Sequence, residues 1–158
     1  QQAKLLSNLG IVAKRLGELD AARLYYEESL ATSESLGNRW SAGVALNNLG
    51  ALAIVTGEYA TARQQLEEAL AIWRKIGERW GTTNTLHNLA NVAREEESLQ
   101  EAIDLYAESL EGWRELDDRW GTAYWLEWDR PGPFDDPERL LAGVGPRHVV
   151  VVVGERPE

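Results

Sequence analysis

Shifted by 40 residues, this sequence lies over itself without an insertion, and few folds can produce such a register. Residues 37–76 align with residues 77–116, so that Arg39 and Trp40 meet Arg79 and Trp80, and Arg119 and Trp120 follow one period later. Leu46, Asn48 and Leu49 fall on Leu86, Asn88 and Leu89; Ala62, Leu70 and Trp73 fall on Ala102, Leu110 and Trp113. One period back, Leu6, Asn8, Leu9, Gly10, Ala22 and Leu30 occupy the same columns. A large aromatic that recurs once per period suits a core between repeats, so the register predicts equivalent and mostly buried settings for Trp40, Trp80 and Trp120.

Each period reads as two helices. Leu86, Leu89, Ala90 and Ala93 follow the i, i+3, i+4, i+7 spacing of one buried helical stripe. Gly17 and Gly57 stop that helix, because glycine accepts the left-handed geometry of a helix end. Ser98 and Glu101 have the spacing of a capping box opening the second helix, whose stripe includes Ala102, Leu105, Tyr106 and Leu110. Turns around Gly37, Gly77 and Asp117 lead into the next Arg-Trp pair. An amphipathic pair cannot bury its face alone, so neighbouring pairs must stack into a superhelix. The expectation is an all-α, right-handed α-solenoid of stacked antiparallel helix pairs, three pairs plus one extra helix over residues 1–128.

These columns resemble the tetratricopeptide repeat (TPR). Leu46, Leu49, Gly50, Ala53, Ala62, Leu66 and Ala69 stand at its signature positions, as do Leu6, Leu9, Gly10, Ala13, Ala22, Tyr26 and Ser29. Leu86, Leu89, Ala90, Ala93, Ala102, Tyr106 and Ser109 do so a third time. The common period of that family is 34; the longer period here resembles its long-helix branch, found in kinesin light chains and in arrays of bacterial regulatory proteins. The Leu-Asn-Asn-Leu-Gly and Gly-x-Arg-Trp phrases are most similar to the bacterial arrays. The resemblance implies a cytoplasmic scaffold that binds protein or extended peptide along its first helices. It covers about residues 1–126 and ends where Asp129 and Arg130 stand in place of Leu and Gly.

Composition narrows the partners. A net charge of −10 opposes nucleic acid, whose binding rests on Lys and Arg neutralising phosphates, and opposes anionic membranes. With no cysteine there is no disulfide framework and no thiolate zinc site, which fits a reducing compartment. The longest aliphatic run, Val149 to Val153, is too short to span a bilayer. The chain begins at Gln1 in mid-pattern, which reads as a piece of a longer protein. His87 and His148 show no metal-ligand spacing, and the Gly143-Val144-Gly145-Pro146 stretch lacks the Lys and Ser/Thr of a phosphate loop. The expectation is therefore a non-enzyme without cofactor or metal.

The candidate site lies on the first helices, opposite their buried stripe. One arc holds Lys4, Asn8, Ile11 and Arg15, then Val44, Asn48, Ala51 and Val55, then Asn84, Asn88, Asn91 and Glu95, with His87 and Arg94 beside it. The surface thus runs from a basic patch (Lys4, Lys14, Arg15) through an apolar middle to an amide-rich end. An Asn amide both donates to and accepts from a peptide backbone, which suits that task. For the recurring Asn8, Asn48 and Asn88, tighter packing between neighbouring first helices stands as an equal alternative. Asn84, His87 and Asn91 vary between repeats and favour a ligand-facing role. The competing reading of the whole chain is a purely architectural spacer, or a module that self-associates through its ends or tail.

Residues 129–158 depart from the pattern. Pro131, Pro133 and Pro137 stop the fourth first-type helix near Trp128. The expectation there is an irregular tail: a short helix over Pro137 to Val144 that caps the last pair, then a strand over Val149 to Val153.

Overall fold

The structure, a computed structural model, describes residues 1–116. The expectations for Trp120, the fourth first-type helix, the capping segment and the valine strand lie outside the described residues. Six helices follow in order: α1 (Gln2–Arg15), α2 (Leu19–Ser35), α3 (Arg39–Val55), α4 (Tyr59–Ile76), α5 (Arg79–Glu95) and α6 (Leu99–Glu115). Each packs against the next, and α3 touches both α1 and α5, so α1, α3 and α5 form one row. This is an all-α solenoid of helix pairs in the register read from the sequence.

One turn geometry is used five times. Gly17, Gly37, Gly57, Gly77 and Glu97 adopt positive φ, one every 20 residues. In each turn the following amide reaches back five residues: Glu18 to Ala13, Asn38 to Ser33, Glu58 to Ala53, Glu78 to Trp73, Ser98 to Ala93, at 2.8–3.0 Å. That is the Schellman closure, which satisfies carbonyls a helix end leaves open. The repeat of 40 is thus two halves of equal length closed the same way. Glu97 is the one non-glycine in the series, and an L side chain in the left-handed region carries a steric cost of roughly 1–2 kcal/mol, partly offset by glycine's greater freedom when unfolded. Glu97→Gly is expected to raise stability by up to about 1 kcal/mol in thermal or denaturant melts; a loss of stability would contradict this account of the turn.

The capping box does not form. Ser98 is the N-cap of α6 but makes no side-chain cap bond, and the caps of α2 and α4, both Glu, make none. Side chains cap α3 and α5 instead: the Asn38 Oδ1 accepts from the Ser41 amide at 3.1 Å, and a Glu78 carboxylate oxygen from the Gly81 amide. Backbone geometry separates the two sets. Ψ at the cap is 61–67° before the second-type helices, against 87° at Asn38 and 108° at Glu78, closer to the extended conformation that aims a cap side chain at the first turn.

The cores lie between pairs. Leu49 and Leu52 of α3 pack on Ala22 and Tyr26 of α2, and Leu89 and Val92 of α5 on Ala62, Leu66 and Leu70 of α4. Size is matched across the columns: a Cβ on Gly10 would lie 2.4 Å from the Tyr26 ring, and one on Gly50 2.5 Å from Leu66. The tryptophans correct the sequence expectation. Trp40 and Trp80 do sit in equivalent settings, each edge-on to Trp73 or Trp113 with ring centroids 6.2 Å apart. They are 48% and 47% exposed, however, whereas Trp73 is 1% exposed. Each pair of indoles lies within one helix pair, α3 with α4 or α5 with α6, and the inner Trp73 fills the space between Gly43 of α3 and Gly81 of α5. Arg23 to Glu58, and Arg63 to Glu96 and Glu101, add exposed ion pairs between a second helix and the next repeat, each worth little by itself.

Candidate functional site

The adjacency of α1, α3 and α5 brings the sequence-derived candidates together as three neighbouring rows. On α1, Lys4, Asn8 and Arg15 are exposed; on α3, Val44 and Asn48 are half-buried, Ala51 is buried and Val55 exposed. On α5, Asn84 is half-buried, and His87, Asn88 and Asn91 are buried. Lys14 is half-buried, and burial, then the neighbouring Arg15, lowers its pKa below the ordinary lysine value.

The amides fall into two groups. Asn88 Nδ2 donates to Asn47 Oδ1 at 3.1 Å, Thr85 Oγ1 donates to the same oxygen at 3.0 Å, and Asn47 Nδ2 donates to Asn84 Oδ1 at 2.9 Å. Thr85 Oγ1 in turn accepts from the Trp73 indole N–H at 3.1 Å. This network joins α3, α4 and α5, and in it Asn84 and Asn88 hold helices together. Asn91 accepts from the Tyr106 hydroxyl. Asn48 differs: its Nδ2 is buried and makes no hydrogen bond.

Asn47, the hub, was not among the candidates read from the sequence. Its column holds Ser7, Asn47 and His87, so no repetition marks it. The 40-residue register pairs Asn48 with Asn88, but the side chain that Asn88 meets across the helices is 41 residues away. The Asn47-Asn48 doublet was the available signal.

His87 stacks edge-on against Tyr106, centroids 5.6 Å apart. Burial, with Arg94 adding repulsion, lowers its pKa to about 4. The unfolded chain takes up that proton near 6.5, whereas the folded chain takes it up only near 4. Between these values the unfolded state holds more protons, so this group's contribution to stability is complete above about 6.5 and is lost progressively as pH falls towards 4. His87→Leu is expected to flatten the acid side of the stability profile in that window, as read from denaturant midpoints; an unchanged slope would contradict the burial of a neutral imidazole.

Among the described residues, no group of three or more His, Cys, Asp or Glu could hold a metal ion, and no helix is long and apolar enough to cross a membrane. What the described helices offer is a ribbed surface of amides, aliphatic carbons and cations, chemistry suited to recognition by contact. The fold and this surface define a repeat scaffold for protein interaction. The chain belongs to the tetratricopeptide repeat family: one profile of that description matches residues 41–115 and a second residues 3–36. Among solved structures, it is similar to BtubC (BKLC) from P. vanneervenii, with 23% identity, a TM-score of 0.65, and coverage of 83% of this chain and 50% of that one. It is also similar to the N-terminal domain of stress-induced protein-1 (STI-1) from C. elegans, with 18% identity, a TM-score of 0.59, and coverage of 81% of this chain and 94% of that domain. The chain thus spans half the length of BtubC. Comparison with curated proteins gives no match.

Proposed function

We propose that this chain holds an extended protein segment along the outward faces of α1 and α3, as the interaction part of a cytoplasmic bacterial regulator. The observation that carries the reading is Asn48, whose buried Nδ2 has no hydrogen-bond partner between half-buried Val44 and buried Ala51. An unmade buried hydrogen bond costs about 1–3 kcal/mol, and a turn of this half-buried side chain would present its Nδ2 to a peptide carbonyl along the groove and relieve it. Lys4, Asn8 and Arg15 are exposed on the neighbouring helix and favour a ligand that is acidic at one end. Arrays of bacterial regulators are the source of the regulatory setting, through the Leu-Asn-Asn-Leu-Gly and Gly-x-Arg-Trp phrases. The absence of cysteine accords with a reducing cytoplasm.

At the α5 end a second reading has its own support. The bonds of Asn84 and Asn88 to Asn47 favour an architectural role there, with the amides fixing one helix against the next. The two readings separate by mutation. Peptides selected from a random displayed library against the intact chain, and measured by calorimetry, should lose about 1–2 kcal/mol of affinity on Asn48→Ala with stability no lower than that of the parent. Asn88→Ala should lower stability and leave affinity nearly unchanged. Unchanged affinity in Asn48→Ala would sink the groove reading.

A further inference from the structure

A cleft of about 540 Å³ opens where α2, the start of α3, and α4 meet. Glu34 of α2, Arg39 of α3, and Glu68, Ala71, Ile72 and Lys75 of α4 line it. It lies between two complete helix pairs, α1 with α2 and α3 with α4.

One period later the same columns are closed by ion pairs. Arg74 of α4 meets Glu108 of α6 at 3.3 Å, and Arg79 of α5 meets Glu115 of α6. In the cleft those columns hold Glu34 with Glu68, and Arg39 with Lys75. Two attractive pairings have become two like-charge pairings, so the cleft has an acidic end and a basic end. All four side chains are exposed, and none of them makes an ion pair among the described residues.

The order of these charges is its own complement. On α4, Glu68 and Lys75 stand seven residues apart, which is about 10 Å along a helix axis. Ala71 and Ile72 lie between them on the same face, at the i+3 and i+4 positions. A two-fold axis sets a second α4 antiparallel to the first. Glu68 then comes opposite Lys75 of the other copy, and the two Ala71-Ile72 stretches meet in the middle. Glu34 adds to the acidic end and Arg39 to the basic end, so each like-charge pair faces a pair of the opposite sign. A patch that matches itself in this way is what a two-fold interface requires.

We propose that two copies of this chain associate through this cleft, α4 against α4, with the Glu34-Glu68 end of each on the Arg39-Lys75 end of the other. The surface is small and its apolar centre is only Ala71 and Ile72, so the dimer is weak and forms as concentration rises.

The test is sedimentation velocity of the intact chain at concentrations up to about 1 mM. At physiological salt the general repulsion between chains of net charge −10 is screened beyond about 8 Å, which leaves the facing pairs to decide. A monomer–dimer equilibrium is expected. Glu34→Lys with Glu68→Lys makes the cleft basic throughout, and Arg39→Glu with Lys75→Glu makes it acidic throughout. Each double variant alone should associate about a hundredfold more weakly than the parent, because like charges then face each other at both ends. Mixed in equal amounts, the two should form a heterodimer, since every pairing across the axis is again of opposite sign; that recovery also shows that both variants fold. A parent that stays monomeric throughout would overturn the proposal. So would a mixture that gains no heterodimer, or a double variant that dimerises as the parent does, since the contact would then lie on another surface.

Discussion

Trp73→Ala is expected to cost about 3–5 kcal/mol, a large share of what a domain of this size has to lose. The indole is fully buried, lies against Gly43 of its own pair and Gly81 of the next, receives Trp40 edge-on, and donates its N–H to Thr85. Truncation therefore opens a cavity at a junction of two repeats and removes the indole N–H donated to Thr85, whose own hydroxyl donates to Asn47. The equivalent truncation at Trp80 should cost only about 1–2 kcal/mol, since that ring is half-exposed and contributes one edge-on aromatic contact with part of its area. Chemical denaturation of the two variants gives the comparison, and equal losses would contradict the division into inner and outer tryptophans.

Gly43→Ala should change sign with its background. In the intact protein a Cβ at Gly43 would lie 2.7–2.9 Å from the Trp73 ring, so the substitution forces the indole to shift and should cost roughly 1–3 kcal/mol. Gly43 is also a helix-interior glycine in α3, where alanine is worth about 0.8–1 kcal/mol in propensity. Once Trp73→Ala has removed the ring, only the propensity gain remains, and the same substitution should stabilise. The coupling is read from a double-mutant cycle of denaturant midpoints. Additive effects would mean that glycine at this position serves some purpose other than admitting the indole.

Most of the architecture was legible because a solenoid writes its core as a period. Leu46 and Leu86, Leu49 and Leu89, and Ala62 and Ala102 are buried, as are Leu6 and Ala22 one period earlier, whereas Leu9, in the column of Leu49, is exposed. The turns were legible in part: glycine marks four of the five left-handed positions, and Glu97 escaped notice because its side chain gives no hint of the conformation imposed on it. Periodicity misled where two residues of one type do different work. Trp40 and Trp73 are both large aromatics of one helix pair, yet Trp73 is enclosed between Gly43 and Gly81 whereas Trp40 meets it edge-on and stays half-exposed. The amides show how register and contact differ. Recurrence drew attention to Asn48 and Asn88, but side chains meet between neighbouring helices one residue out of register, so Asn88 reaches Asn47 and leaves Asn48 unpaired.

The central claim, that the row of first helices is a peptide-binding surface centred on Asn48, is tested most directly by mapping where a selected peptide binds. Amide and side-chain chemical shifts of the labelled intact chain would be followed by nuclear magnetic resonance during titration with a peptide chosen from the displayed library. The account predicts the largest changes at Lys4, Asn8, Val44 and Asn48, with the Asn48 side-chain amide protons moving downfield as they gain an acceptor. Changes confined to the second-type helices α2, α4 and α6, with the Asn48 amide unmoved, would contradict it.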